Sequence, residues 1–134
     1  LAEVVYKAAF PSDFEAMMKV LEEGHRALLA AGCIPKGKEP CARLCLEEAL
    51  VNAVRHGNNC DHTREVRLEI VREGENDCRV RIWDEGEGFQ PEDIKLPSPD
   101  QPGGRGICLI RHFVDEMRFD RVNKCFEMLF RWVA

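Results

Sequence analysis

Apolar residues recur at helical spacing through DFEAMMKVLEEGHRALLAAG, at Phe14, Met17, Met18, Leu21 and Leu28. Ser12 and Asp13 can cap the start of such a helix, and Gly32 can stop it after about Ala31. The residues before it, AEVVYKA, are short and β-prone. IPKGKEP, with two prolines and a glycine, reads as a loop. A second helix is predicted over about 39–57. In EVRLEIVRE, Val66, Leu68 and Ile70 alternate with Glu65, Arg67 and Glu69. In CRVRIWDEG, Val80 and Ile82 alternate with Arg79 and Arg81. Period-two patterns of this kind predict an antiparallel pair with one buried face, turned by EGEND.

DEGEGFQPEDIKLPSPDQPGGRG follows, rich in glycine and proline. It is long for a plain connection, and long loops in compact domains are often functional lids. GICLIRHFVDEM has a helical pattern. MRFDRVNKCFEMLFRWV reads as two strands turned over 120–124. The predicted order is β, α, α, β, β, lid, α, β, β. That makes an α+β fold, a two-layer α/β sandwich with a mostly antiparallel sheet and helices on one face. No repeat or second set of elements appears, so residues 1–134 read as a single domain.

Composition adds exclusions. The formal charge is −5 and no Lys/Arg cluster occurs, which argues against nucleic acid or an anionic membrane as the main partner. No apolar run approaches the length of a membrane span, and a cytoplasmic location is expected. The chain opens on Leu1, so it can be a fragment. The seven cysteines include no CxxC pair, and free thiols in a reducing compartment are the expected state.

Candidate chemistry lies in three stretches. In EALVNAVRHGN, Glu48, Asn52, Arg55 and His56 fall within an arc of roughly 100° on a helix, opposite Ala42, Leu46, Ala49, Leu50 and Ala53. A charged stripe is most often only a solvated face. An asparagine in mid-helix is unhelpful to the helix, however. DEGEGF, residues 84–89, ends a strand, and its glycines Gly86 and Gly88 allow tight turns and close approach to a ligand. PGGRGICLI runs three glycines into a helix start, whose free N–H groups and dipole suit phosphate.

Together, E-x-x-x-N-A-x-x-H-G, then D-x-G-x-G-F, then G-G-x-G resemble the N, G1 and G2 boxes of the Bergerat-fold ATPases. That superfamily includes gyrase, a heat-shock chaperone ATPase, histidine kinases and mismatch-repair proteins. The resemblance covers residues 44–117 by motif and nearly the whole chain by element order. EALVNAVRHGN, DEGEGF and GGRGICLIRHFVDEM look most like the anti-sigma-factor serine/threonine kinases. The resemblance implies ATP and Mg²⁺ as cofactors. It makes Asn52 the Mg²⁺ ligand, Glu48 the general base and Asp84 the acceptor from the adenine amino group. Gly86 and Gly88 would lie near the base, and Gly103, Gly104, Arg105 and Gly106 around the phosphates. Arg55 and His56 face the same side as Asn52. It also implies a homodimer, with a sigma factor and an anti-anti-sigma protein as partners.

Glu48 separates branches of the superfamily. A histidine imidazole is already a nucleophile, whereas a hydroxyl needs a base, and histidine kinases commonly carry Asn at that place. Relatives often have a Gly-Thr near the last strands that helps hold adenine. VNKCFEMLF has neither residue, so no contact is carried over there. Two other readings remain open: a nucleotide-gated binding module without kinase activity, and the ATPase domain of a histidine kinase. A metal protein built on the cysteines is a remote third.

Overall fold

The computed structural model describes residues 2–94 and 105–131. Five strands form one sheet: β1 (Ala2–Pro11), β2 (Glu65–Glu73), β3 (Asp77–Trp83), β4 (Glu116–Asp120) and β5 (Cys125–Arg131). Their spatial order is β1-β2-β3-β5-β4, and every neighbouring pair is antiparallel. Helices α1 (Phe14–Ala30), α2 (Glu39–Asn52) and α3 (Gly106–Phe113) complete the fold. This is the expected two-layer α+β sandwich.

The period-two segments become β2 and β3, in a register that pairs Leu68 with Ile82 and Ile70 with Val80. Continuing outward, Ile82 pairs with Phe126 and Phe126 with Phe119. Leu68, Ile70, Val80 and Met128 are fully buried, beneath Leu21 and Leu28 of α1 and Leu46 and Leu50 of α2. Each such side chain contributes about 1.5–3 kcal/mol on burial. The Asp13 carboxylate accepts from the N–H of Glu15 and caps α1 as the sequence suggests.

The opposite face carries charge. Glu69, Arg81, Glu127 and Arg118 form one rung of alternating sign across four strands. Glu127 is 1% exposed and accepts from Arg81 Nε at 2.8 Å, Arg118 Nε at 2.8 Å and Arg79 Nη1 at 3.2 Å. Burial alone would push its carboxyl up, but the Arg81 and Arg118 bonds and charges prevail and hold it below the usual range.

The structure corrects three expectations. The third helix stops at Phe113 because Val114 is extended (φ −89°, ψ 157°), and Glu116 and Met117 belong to β4. The second helix is regular only to Asn52, and Ala53–Gly57 forms a π turn closed by the N–H of Asn58 on the Ala53 carbonyl. The cysteines are not all free. Cys33, in the loop after α1, is bridged to Cys78 at the start of β3, with Cα atoms 5.7 Å apart. Among the described residues no helix is long and apolar enough to cross a membrane.

The bridge spans a sequence separation of 45 residues, for which loop-closure entropy gives about 4 kcal/mol. Thermal melts with and without reductant test it. Reductant should lower the Tm of the unaltered chain and leave that of a Cys33→Ser/Cys78→Ser double variant unchanged. An unaltered chain insensitive to reductant would show that the bridge does not contribute.

Candidate functional site

A cavity of about 1200 Å³ opens among the described residues. One wall is the solvent-facing stripe of α2 and its π turn: Glu47, Glu48, Val51, Asn52, Arg55, His56 and Gly57. The floor and far side come from the chain after β3, with Asp84, Gly86, Gly88 and Phe89, and from the start of α3, with Arg105, Gly106, Ile107 and Leu109. The three motif stretches, separated in sequence, therefore converge on one space.

The stripe faces the cavity because the other side of α2 is committed to the core. Ala42, Leu46, Ala49 and Leu50 are buried against the sheet, which turns Glu48 and Asn52 outward one turn apart. The π turn then carries Arg55 and His56 along the same wall. Such turns are rare, and they occur frequently at functional sites. The Arg55 guanidinium lies 5.6 Å from the centre of the Phe14 ring at the start of α1.

Close packing sets the position of both carboxylates. The Asp84 carboxyl lies directly against Gly57, where a Cβ would collide with both its oxygens. Asp84 Oδ1 also accepts from the N–H of Gly86 at 2.8 Å. Burial raises the Asp84 pKa, and the Gly86 bond only partly opposes this. Glu48 sits against Gly106 at the start of α3, where a Cβ would stand 2.6 Å from Oε2. Burial is the main cause of its raised pKa; the neighbouring Glu47 adds to it and Arg55 offsets part. Gly88 has φ +85°, and its open α-carbon lies against the Phe119 ring, so both its conformation and its space require glycine.

Of the sequence-nominated residues, Glu48, Asn52, Arg55, His56, Asp84, Gly86, Gly88, Arg105 and Gly106 all line the cavity. Gly103 and Gly104 lie outside the described residues, as does the lid stretch 96–102. Cys125, in the stretch that lacks Gly-Thr, is not among the residues that line the cavity. It is fully buried and groups with Asp120 and Glu127, on the charged side of the sheet. The cavity also takes in residues to which the sequence assigns no role: Gly57, at the end of the predicted second helix, and the apolar lining of Val51, Phe89, Ile94, Ile107 and Leu109. Phe89 was visible as the last residue of DEGEGF. Its ring packs 5.4 Å from that of Phe126 and 5.9 Å from that of Phe119, which fixes the far side.

The model of the histidine kinase-like ATPase domain family matches residues 10–132. The chain belongs to that family. A relative, the serine/threonine-protein kinase BtrW of Bordetella bronchiseptica, is 31% identical over 84 residues. That alignment covers 58% of this chain and 58% of the relative's length. Membership makes this domain an ATP-binding one.

Asp84 is expected to lower the stability of the ligand-free domain. Its folded pKa is raised, so its contribution is favourable at low pH and is lost as pH rises through that value. At neutral pH the desolvated charge therefore costs stability. Asp84→Asn should raise the Tm of the nucleotide-free protein at pH 7, and the difference should shrink as pH falls through the raised Asp84 pKa and vanish below the ordinary carboxylate range. A variant less stable at pH 7 would contradict this account.

Proposed function

We propose that the domain is a Mg·ATP-dependent protein serine/threonine kinase and acts as an anti-sigma-factor switch. The observation that carries this reading is the placement of Glu48. It stands one turn before Asn52, on the same cavity wall, with its carboxylate against the first residue of α3. In this reading Asp84 accepts from the adenine amino group, a contact that guanine, with a carbonyl there, cannot make. The apolar lining of Val51, Phe89 and Ile94 would cover the faces of the base. The N–H groups at the start of α3, with Arg105 and the Gly103 and Gly104 stretch, would receive the phosphates.

Asn52 fits a magnesium site. It lines the cavity and has one amide oxygen to give, and Mg²⁺ characteristically keeps waters and phosphate oxygens in its remaining positions. Bound there, the ion would neutralise charge on the phosphates. Glu48 would take the proton from a substrate hydroxyl as its oxygen bonds to the γ-phosphorus and ADP departs. A carboxylate whose pKa is raised by burial and by Glu47 is a stronger base than an ordinary one, which suits that step. The similarity to a serine/threonine-protein kinase supports the same choice of acceptor. The substrate would be a serine or threonine of an anti-anti-sigma protein. A sigma factor would be the second partner, and the working form a homodimer.

A reading as a nucleotide-gated binding module draws on one feature, the absence of Gly-Thr before β5. Intact mass after incubation with ATP and a candidate partner separates the two: a partner heavier by one phosphate supports the kinase, and co-purification with no mass change supports the binder.

Glu48→Gln should leave ADP affinity within about twofold and lower phosphotransfer by roughly 10²–10⁴-fold, the usual worth of a general base. In the unaltered protein the rate should fall on the acid side, with a midpoint above the ordinary carboxylate range, because the deprotonated form is the active one. A Glu48→Gln protein that transfers phosphate at the native rate would refute the assignment of the base.

A further inference from the structure

Asn58 is the residue immediately after the π turn, and its side chain is fully buried. Every polar atom of that amide is used. Nδ2 donates to Ser12 Oγ at 2.8 Å and to the Glu65 carbonyl at 3.1 Å, and Oδ1 accepts from the N–H of Glu85 at 2.7 Å. Ser12 Oγ in turn donates to the Arg64 carbonyl at 2.8 Å. One amide thus joins the segment after β1, the start of β2, the end of the α2 wall and the loop that follows β3. Asn59 and Cys60, next in the chain, have φ of +52° and +55°, conformations that side chains other than glycine rarely adopt. The chain accepts that strain where Asn58 is anchored.

The bond to Glu85 has a direct consequence for the cavity. Glu85 follows Asp84, and Gly86, next again, donates its N–H to the Asp84 carboxylate. Fixing the 84–85 peptide from below and the Gly57 backbone from the side leaves the Asp84 carboxyl a single place to sit. We infer that Asn58 is a positioning residue for adenine selectivity: it touches no ligand and acts by holding Asp84 in the orientation that reads the base. This rests on the nucleotide reading given above, in which Asp84 contacts adenine.

Calorimetric titration of the full chain with ADP and with GDP tests it, together with thermal melting. Asn58→Ala should raise the ADP Kd about fivefold to tenfold, the usual worth of one lost buried hydrogen bond, and should reduce the ADP-over-GDP preference by a similar factor. In an Asp84→Asn background the same substitution should change the ADP Kd less than twofold, because the residue it acts through is already altered. If Asn58→Ala does not fold, Ser12→Ala weakens the same anchor and should shift the preference in the same direction by about twofold. A lower Tm with unchanged base preference would overturn the inference, as would an equal loss in both backgrounds. An unaltered chain that prefers neither nucleotide would instead overturn the adenine role of Asp84, and this inference with it.

Discussion

Asp84 and Gly57 occupy a point where two layers of the fold meet. Asp84 leaves the end of β3, a strand in the interior of the sheet, and Gly57 ends the π turn that extends α2. No side chain fits at Gly57 beside the carboxyl, so helix and strand come closer here than any other residue would permit. At the other end of the cavity, Gly106 admits the Glu48 carboxylate in the same way. The α2 wall is therefore tied by glycine-to-carboxylate contacts to the loop after β3 and to the start of α3. The shape of the cavity depends on both.

The chain treats buried acids in two opposite ways. Glu127 is enclosed on the charged face of the sheet and held by Arg79, Arg81 and Arg118, so its negative form is favoured despite burial. Among the described residues Glu48 and Asp84 have no equivalent bonded cation, and burial raises their pKa values. Pairing makes the first a structural element of the sheet. The lack of pairing leaves the other two as strong acceptors facing a cavity, a condition that structural stability does not explain. The buried apolar layer between α1, α2 and the sheet offsets the cost of keeping them there.

What the sequence made legible follows from which interactions are local. Alternation in EVRLEIVRE and CRVRIWDEG gave two strands and their pairing, because period two is imposed by the pleat itself. The stripe of Glu48 and Asn52 was readable because α2 is regular over that span. The end of α3 was not: VDEM continues a helical pattern, but pairing of Met117 with Met128 draws that stretch into the sheet. The bridge between Cys33 and Cys78 depends on bringing the end of one helix over the start of a distant strand, which spacing alone does not encode. Gly57 and Asn58 look like ordinary helix-end residues until Asp84, Ser12 and Glu85 are beside them.

The π turn shows how a local irregularity follows from those distant contacts. Reading the stripe at 100° per residue assumes i to i+4 bonding through Gly57, yet the N–H of Asn58 bonds to Ala53 instead. The wider loop is held open by the Asn58 side chain, whose partners come from β2 and from the segments after β1 and β3. It brings Arg55 over the ring of Phe14 while Arg55 still borders the cavity. The start of α1 thus gains a direct connection to the wall that carries Glu48, since Arg55 is also the cation that tempers the rise in the Glu48 pKa.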